Sequence, residues 1–498
     1  MNVNPITRLD YPDPDVIRVE DTYYMVSTTM HFMPGCEILQ SFDLVHWEHA
    51  TYVYETLDHT DAQQLKSGQN IYGQGMWAAS LRYHEGRFYI CFVANDTRKT
   101  YLYTSEKIDG PWKKQLIEGF YHDGSLLFDE DGRNYIVYGN DEIWITELNE
   151  DLTAPKKDGL HRLLVSDHKN PELGYEGSHI QKINGYYYIF LIHSQRDRWM
   201  RTEACFYSDS LEGEFTGGDV LCDDRGYCGQ GVAQGGIVDT PDGKWYAMLF
   251  QDSGAVGRIP ILVPVTWKDH FPVFGQNGHV PEEIEVHSTR PGYIYQPLVG
   301  SDDFCNGLLP RWQFNHDPDP RYYHLDALQG TYTITTREVC TELTQAVNTL
   351  TQRMSYPSCA AEVTVDASAL KEGDVAGLCA LQSCYAAVGI TKHHGKYEVL
   401  MLDKKEDGIL DMTEGTVVES HQMDFRLEAD FCNMKDEARC YYRVNKGDWL
   451  PIGTVHKLYF KLDHFTGCRF GLFCYAAEET GGSACFRDFK YYDVDEIS

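Results

Sequence analysis

Three observations predict an all-β chain in which a five-bladed β-propeller is followed by a β-sandwich. A hairpin recurs five times in the first half, a second turn signature trails four of those hairpins, and the texture of the sequence changes near residue 296. A length of 498 residues exceeds what one core normally supports, so two domains fit it.

The hairpins open at Asp13, Trp77, Asp123, Glu176 and Gln234, and each turns at a residue nine positions later: Thr22, Gly86, Gly132, Gly185 and Gly243. Four of these turns carry Glu-Gly, Asp-Gly or Asn-Gly between an apolar run and an aromatic run, a strong hairpin signal because Gly and Asn tolerate positive φ. Successive openers lie 64, 46, 53 and 58 residues apart. That is too long for a lone hairpin and suits a four-stranded blade with variable loops, since propeller repeats run at roughly 40–50 residues. Ser41–Trp47, Ser105–Trp112, Glu147–Leu152 and Ser208–Phe215 follow at similar distances and read as outer turns of the blades. Residues 1–295 are therefore assigned to the propeller and 296–302 to a linker.

Three of the five equivalent openers are carboxylates. A lone Asp at a strand start usually hydrogen-bonds its own backbone, but the same offset in successive blades makes Asp13, Asp123 and Glu176 converge on the axis of a ring. Trp77 sits in the same ring and offers an aromatic face. Asp15 competes with Asp13; the nine-residue offset selects Asp13 and leaves Asp15 as a strand residue on the other side of the pleat or a local cap.

Residues 303–498 show short alternating strands such as Lys457–Leu462, separated by polar turns such as Lys404–Gly408 and Glu478–Gly482, with little helical period. This predicts an antiparallel sandwich. Whether one of its loops, such as His464–Gly467, also edges the active site is left open.

Composition narrows the partner. With 43 basic and 75 acidic residues the net charge is −32, which opposes phosphate backbones and anionic membranes. No nucleic acid and no membrane is expected, and a neutral small partner fits better. Fifteen cysteines without CxxC clusters, an N-terminus lacking basic and apolar leader regions, and no apolar run of spanning length predict a cytoplasmic protein with reduced thiols. Oligomeric state is open, a homo-oligomer included.

Read together and in register, Pro12-Asp-Pro-Asp15, Gly75-Met-Trp-Ala78, Asp123-Gly-Ser, Glu176-Gly-Ser-His179 and Gly257-Arg258 before Ile259-Pro-Ile-Leu262 resemble glycoside hydrolase family 43. That family comprises inverting β-xylosidases and α-L-arabinofuranosidases on a five-bladed propeller, and the resemblance extends to a carboxy-terminal, concanavalin-like sandwich. It implies Asp13 as general base, Glu176 as general acid and Asp123 as a third carboxylate that raises the acid's pKa and orients it. It further implies substrate contacts by Trp77, Arg258, Phe32 and Gln234. Relatives often carry histidine where this chain has Ala233, so no metal and no cofactor is expected; Ala79 replaces a common proline and affects loop stiffness. The implied activity is exo-acting release of xylose from short β-1,4-xylo-oligosaccharides, with α-L-arabinofuranoside hydrolysis as the alternative. A non-catalytic sugar-binding propeller is the alternative from another class, and it has no use for acids at three of five ring positions.

Overall fold

A computed structural model describes residues 3–493; the first two and last five residues of the predicted domains lie outside the described residues. The five repeats form five antiparallel sheets, and four of them take their strands in chain order. Blade I uses Asp15–Val19, Thr22–Ser27, Gly35–Ser41 and Glu48–Tyr54. Blade II uses Met76–His84, Arg87–Ala94, Lys99–Ser105 and Lys113–Ile117. Blade III uses Ser125–Phe128, Asn134–Asn140, Glu142–Leu148 and His161–Ser166, and blade IV Glu176–Ile183, Tyr186–Ser194, Arg201–Ser208 and Thr216–Leu221. In blade V the innermost strand is broken into Val232–Ala233 and Ile237–Asp239, both paired with Trp245–Asp252, with Arg258–Lys268 and Phe271–Phe274 outside. The break falls at Gln234-Gly235-Gly236. A Cβ on Gly235 would meet the Met248 carbonyl at 1.8 Å, so only glycine fits there.

The turn positions hold in four blades: Gly86, Gly132, Gly185 and Gly243 have φ of 78°, 81°, 85° and 81°. Blade I differs. Thr22 begins its second strand opposite Val19, and Glu20 supplies the left-handed residue at φ 55°. The four segments read as outer turns each join the third and fourth strands of a blade.

Among the described residues blades I and V share no strand; the segment before blade I closes the ring, with backbone bonds from Ile6 N to Pro260 O at 3.4 Å and Tyr11 N to Arg258 O at 3.1 Å and with side chains. The buried Asn4 amide donates to Leu262 O at 2.8 Å and accepts from Leu262 N at 2.9 Å, continuing a backbone ladder with its side chain. Arg18 of blade I pairs with Asp239 of blade V at 2.5 Å. The stretch after blade V then packs Ile284, Val286 and Leu298 against Leu9, Trp47 and Tyr246, strapping the seam from outside.

The second domain is a sandwich of a nine-stranded and a seven-stranded sheet around one apolar core that includes Trp312, Phe425, Phe470 and Phe486. The two domains are not separable units. Phe32–Met33, a loop of blade I, pairs with Gln313–Asn315 as the edge of the larger sheet. Arg353 of the sandwich is buried against Glu37 at 2.9 Å and donates to Asp10 O at 2.9 Å. No helix among the described residues is long and apolar enough to cross a membrane.

Candidate active site

All five openers, Asp13, Trp77, Asp123, Glu176 and Gln234, line one cavity of about 1000 Å³ at the mouth of the propeller. The backbone aims them there in two ways. Asp13, Asp123 and Gln234 precede their strands in left-handed conformations, φ 52°, 48° and 63°. Trp77 and Glu176 lie inside their strands at β-bulges, where the register shifts after Met76 and Glu176. A bulge re-aims a side chain without ending the ladder, so both routes deliver the side chain to the axis.

Asp13 is fixed at both oxygens. Arg258 Nη1 donates to Oδ1 at 2.8 Å and the Thr28 hydroxyl to Oδ2 at 2.6 Å. Each carboxylate oxygen has two lone pairs, so one remains on each for a water. Arg258 is itself buried, and its Nε and Nη2 have no acceptor among the described residues, leaving donors for substrate hydroxyls.

Glu176 is held asymmetrically. Oε2 accepts from Asn140 Nδ2 at 2.7 Å and lies 3.4 Å from His122 Nε2, whereas no donor reaches Oε1 among the described residues. A proton on Oε1 is therefore free to face a leaving oxygen. Asp123 accepts the Gly177 N–H at 2.9 Å, which ties it to the residue after Glu176, and its Oδ2 lies 3.5 Å from His122 Nε2. Burial pushes the Asp123 carboxyl up to about 6; the charge of His122 opposes this, and Glu176 and Asp13 reinforce it. Burial disfavours the His122 cation, but Asp123, Glu176 and Asp13 outweigh that and raise its pKa to about 9. An imidazolium thus faces two of the three acids.

Gln234 is buried, and its N–H donates to Glu203 Oε2 at 2.7 Å, which holds its left-handed backbone. The preceding Ala233 packs with Ile192 and Phe250 in an apolar cluster. His122, Asp123 and Glu176 do bring one ligand atom each within 4.8 Å of one another, a spacing a cation can use. Ala233 adds no ligand to this set. Treatment with EDTA is expected to leave activity within about two-fold, and a loss restored by calcium would show that these side chains hold an ion.

The sandwich contributes one side of the cavity through Tyr459–Leu462 and Phe465. The Phe465 ring lies 4.2 Å from the Arg258 guanidinium and 5.5 Å from Trp77. The loop is anchored where Gly467 N donates to Asp10 Oδ2 at 2.7 Å while Arg258 N donates to Asp10 Oδ1 at 2.8 Å. One propeller carboxylate thus sets the loop and the arginine together. Phe465→Ala should lower kcat/KM by about ten-fold, the size of a desolvated cation–π contact, with folding intact; unchanged kcat/KM would reduce the loop to an attachment.

Two expectations are corrected. Phe32 does not reach the cavity: it is 2% exposed in the sandwich core, under the Arg469 guanidinium at 3.4 Å, because its segment joined the sandwich sheet. Asp15 is neither a local cap nor turned away from the channel. It is buried one layer below the acids, with Oδ2 on Arg82 at 2.8 Å and Oδ1 on His179 at 3.0 Å, while Arg82 donates on to Ser125 at 2.7 Å. That network links blades I to IV beneath the site.

A model of glycosyl hydrolases family 43 matches residues 3–272. The chain belongs to glycoside hydrolase family 43. A second model, the beta xylosidase C-terminal concanavalin A-like domain, matches residues 301–492. This family-43 chain is 26% identical to a beta-xylosidase of Formosa agariphila over 99% of its own length and 89% of that protein. It is 24% identical to a xylosidase/arabinosidase of Butyrivibrio fibrisolvens, with 99% of each covered. Among solved structures, a bifunctional GH43-CE protein of Bacteroides eggerthii superposes with a TM-score of 0.92 at 42% identity; 99% of this chain is covered, and it spans 64% of that longer chain.

Proposed function

We propose that this family-43 enzyme is an inverting, exo-acting hydrolase that releases xylose from short β-1,4-xylo-oligosaccharides. The observation that carries this reading is the convergence of three acids on one cavity, two of them held for opposite tasks. Asp13, with both oxygens oriented and a lone pair left on each, takes the proton of an attacking water. Glu176, with Oε1 unencumbered, gives its proton to the leaving oxygen from the other side of the sugar. Inversion requires this division between base on water and acid on the leaving group. The Arg258 donors and the Trp77 ring fix the sugar between them, and the names of the relatives favour xylose. Fifteen cysteines, all with free thiols, support action in the cytoplasm on small substrates.

The second reading, an α-L-arabinofuranosidase, is favoured by the dual name of the Butyrivibrio relative. Hydrolysis of 4-nitrophenyl β-D-xylopyranoside and α-L-arabinofuranoside separates the two. A higher kcat/KM on the xyloside is expected. The reverse order selects the second reading, and hydrolysis of neither would return the chain to a sugar-binding role.

A further inference from the structure

The blade II wall of the cavity presents hydrogen-bond donors without acceptors. Trp77 Nε1 and Asn95 Nδ2 are buried and have no partner among the described residues. Beside them stands Arg98, in a left-handed turn position at φ 56°, with its guanidinium 3.9 Å from the ring of Phe120 in the connection to blade III. Its guanidinium makes no hydrogen bond or ion pair among the described residues.

The other cations around the cavity are engaged. Arg258 is on Asp13 at 2.8 Å, Arg201 on Asp252 at 2.5 Å, and His122 lies between Asp123 and Glu176. Lys461 pairs with Glu406, and Lys457 donates to the carbonyls of Met434 and Lys435. A chain of net charge −32 thus leaves one cavity cation free among the described residues, stacked so that its planar fork is already oriented. Glu172, also at the rim, comes from the connection into blade IV and is not part of this wall.

Sugar hydroxyls both donate and accept. A wall whose unpaired groups are two N–H donors and a guanidinium, with the Asn95 amide oxygen as its one side-chain acceptor, suits an acceptor-only anion such as a carboxylate. A cavity of about 1000 Å³ has room for several sugar units beyond the one being released. We propose that this wall binds the carboxylate of a uronic acid carried as a branch on the leaving-group side of a xylo-oligosaccharide. The proposal rests on the xylosidase reading and names its substrate class. Because the rest of the molecule repels anions, recognition depends on Arg98 and weakens as salt screens it.

The test compares unbranched xylotriose with xylotriose bearing one glucuronosyl branch on its middle residue, using the full-length protein and Arg98→Gln. The substitution should lower kcat/KM on the branched substrate by at least about ten-fold, the size of a charge-assisted hydrogen bond, and on the unbranched one by less than about two-fold. Raising salt should weaken wild-type activity on the branched substrate selectively. Equal losses on both substrates, no loss on the branched one, or a wild type that cleaves only the unbranched one would overturn the proposal. A wild type that cleaves neither would remove the xylosidase reading and the proposal with it.

Discussion

Glu176→Ala is expected to slow xylobiose hydrolysis by about 10²–10⁴, the usual contribution of general acid catalysis, while sparing far more of the activity on an aryl xyloside whose phenol leaves readily. The reason is local. Asn140 and His122 occupy Oε2, which leaves Oε1 to hold the proton that the assigned role requires. An alkoxide needs that proton, and an acidic phenol departs largely without it. Equal losses on the two substrates would remove Glu176 from the acid's role.

The second large effect is at Asp13, where water activation serves both substrates alike. Loss of the carboxylate should lower both rates by similar factors, again of about 10²–10⁴. Alanine is the harsher test, since Asp13 is the buried partner of Arg258, and an uncompensated buried charge costs about 3–5 kcal/mol. Asp13→Asn keeps an oxygen for Arg258 and removes the basicity, so it should lose comparable activity at a higher melting temperature than Asp13→Ala. A leaving-group dependence at Asp13 rather than Glu176 would reverse the assignment.

The ring was legible because it repeats. A fixed offset of nine, with turn glycines to set its phase in four blades, picks out five of the residues that line the cavity, and their equivalence is a property of the chain before it folds. What the repeat does not carry was not legible. His122 and Asn140 belong to blade III alone, one beside the opener and one at the end of the second strand, and only the meeting of blades III and IV brings them to Glu176. Phe32 was misplaced because a loop inside the propeller repeat donates its strand to the other domain. Asp15 is not legible from Asp13: Asp13 lies before the strand in a left-handed conformation, so the two-residue alternation of a strand does not relate the two side chains. The loop at Phe465 was foreseeable as a candidate only, since nothing in an alternating strand pattern says which sandwich loop meets the propeller. That is decided by Asp10, which binds Gly467 and Arg258 through its two oxygens.

The division of labour between Asp13 and Glu176 is tested most directly by the anomer first released. Proton NMR of a β-xyloside digest, recorded before mutarotation, should show α-xylose as the initial product, because the base acts on water and the sugar is attacked once. β-Xylose as the initial product would mean that a carboxylate attacks the sugar itself, which contradicts the roles assigned to both residues.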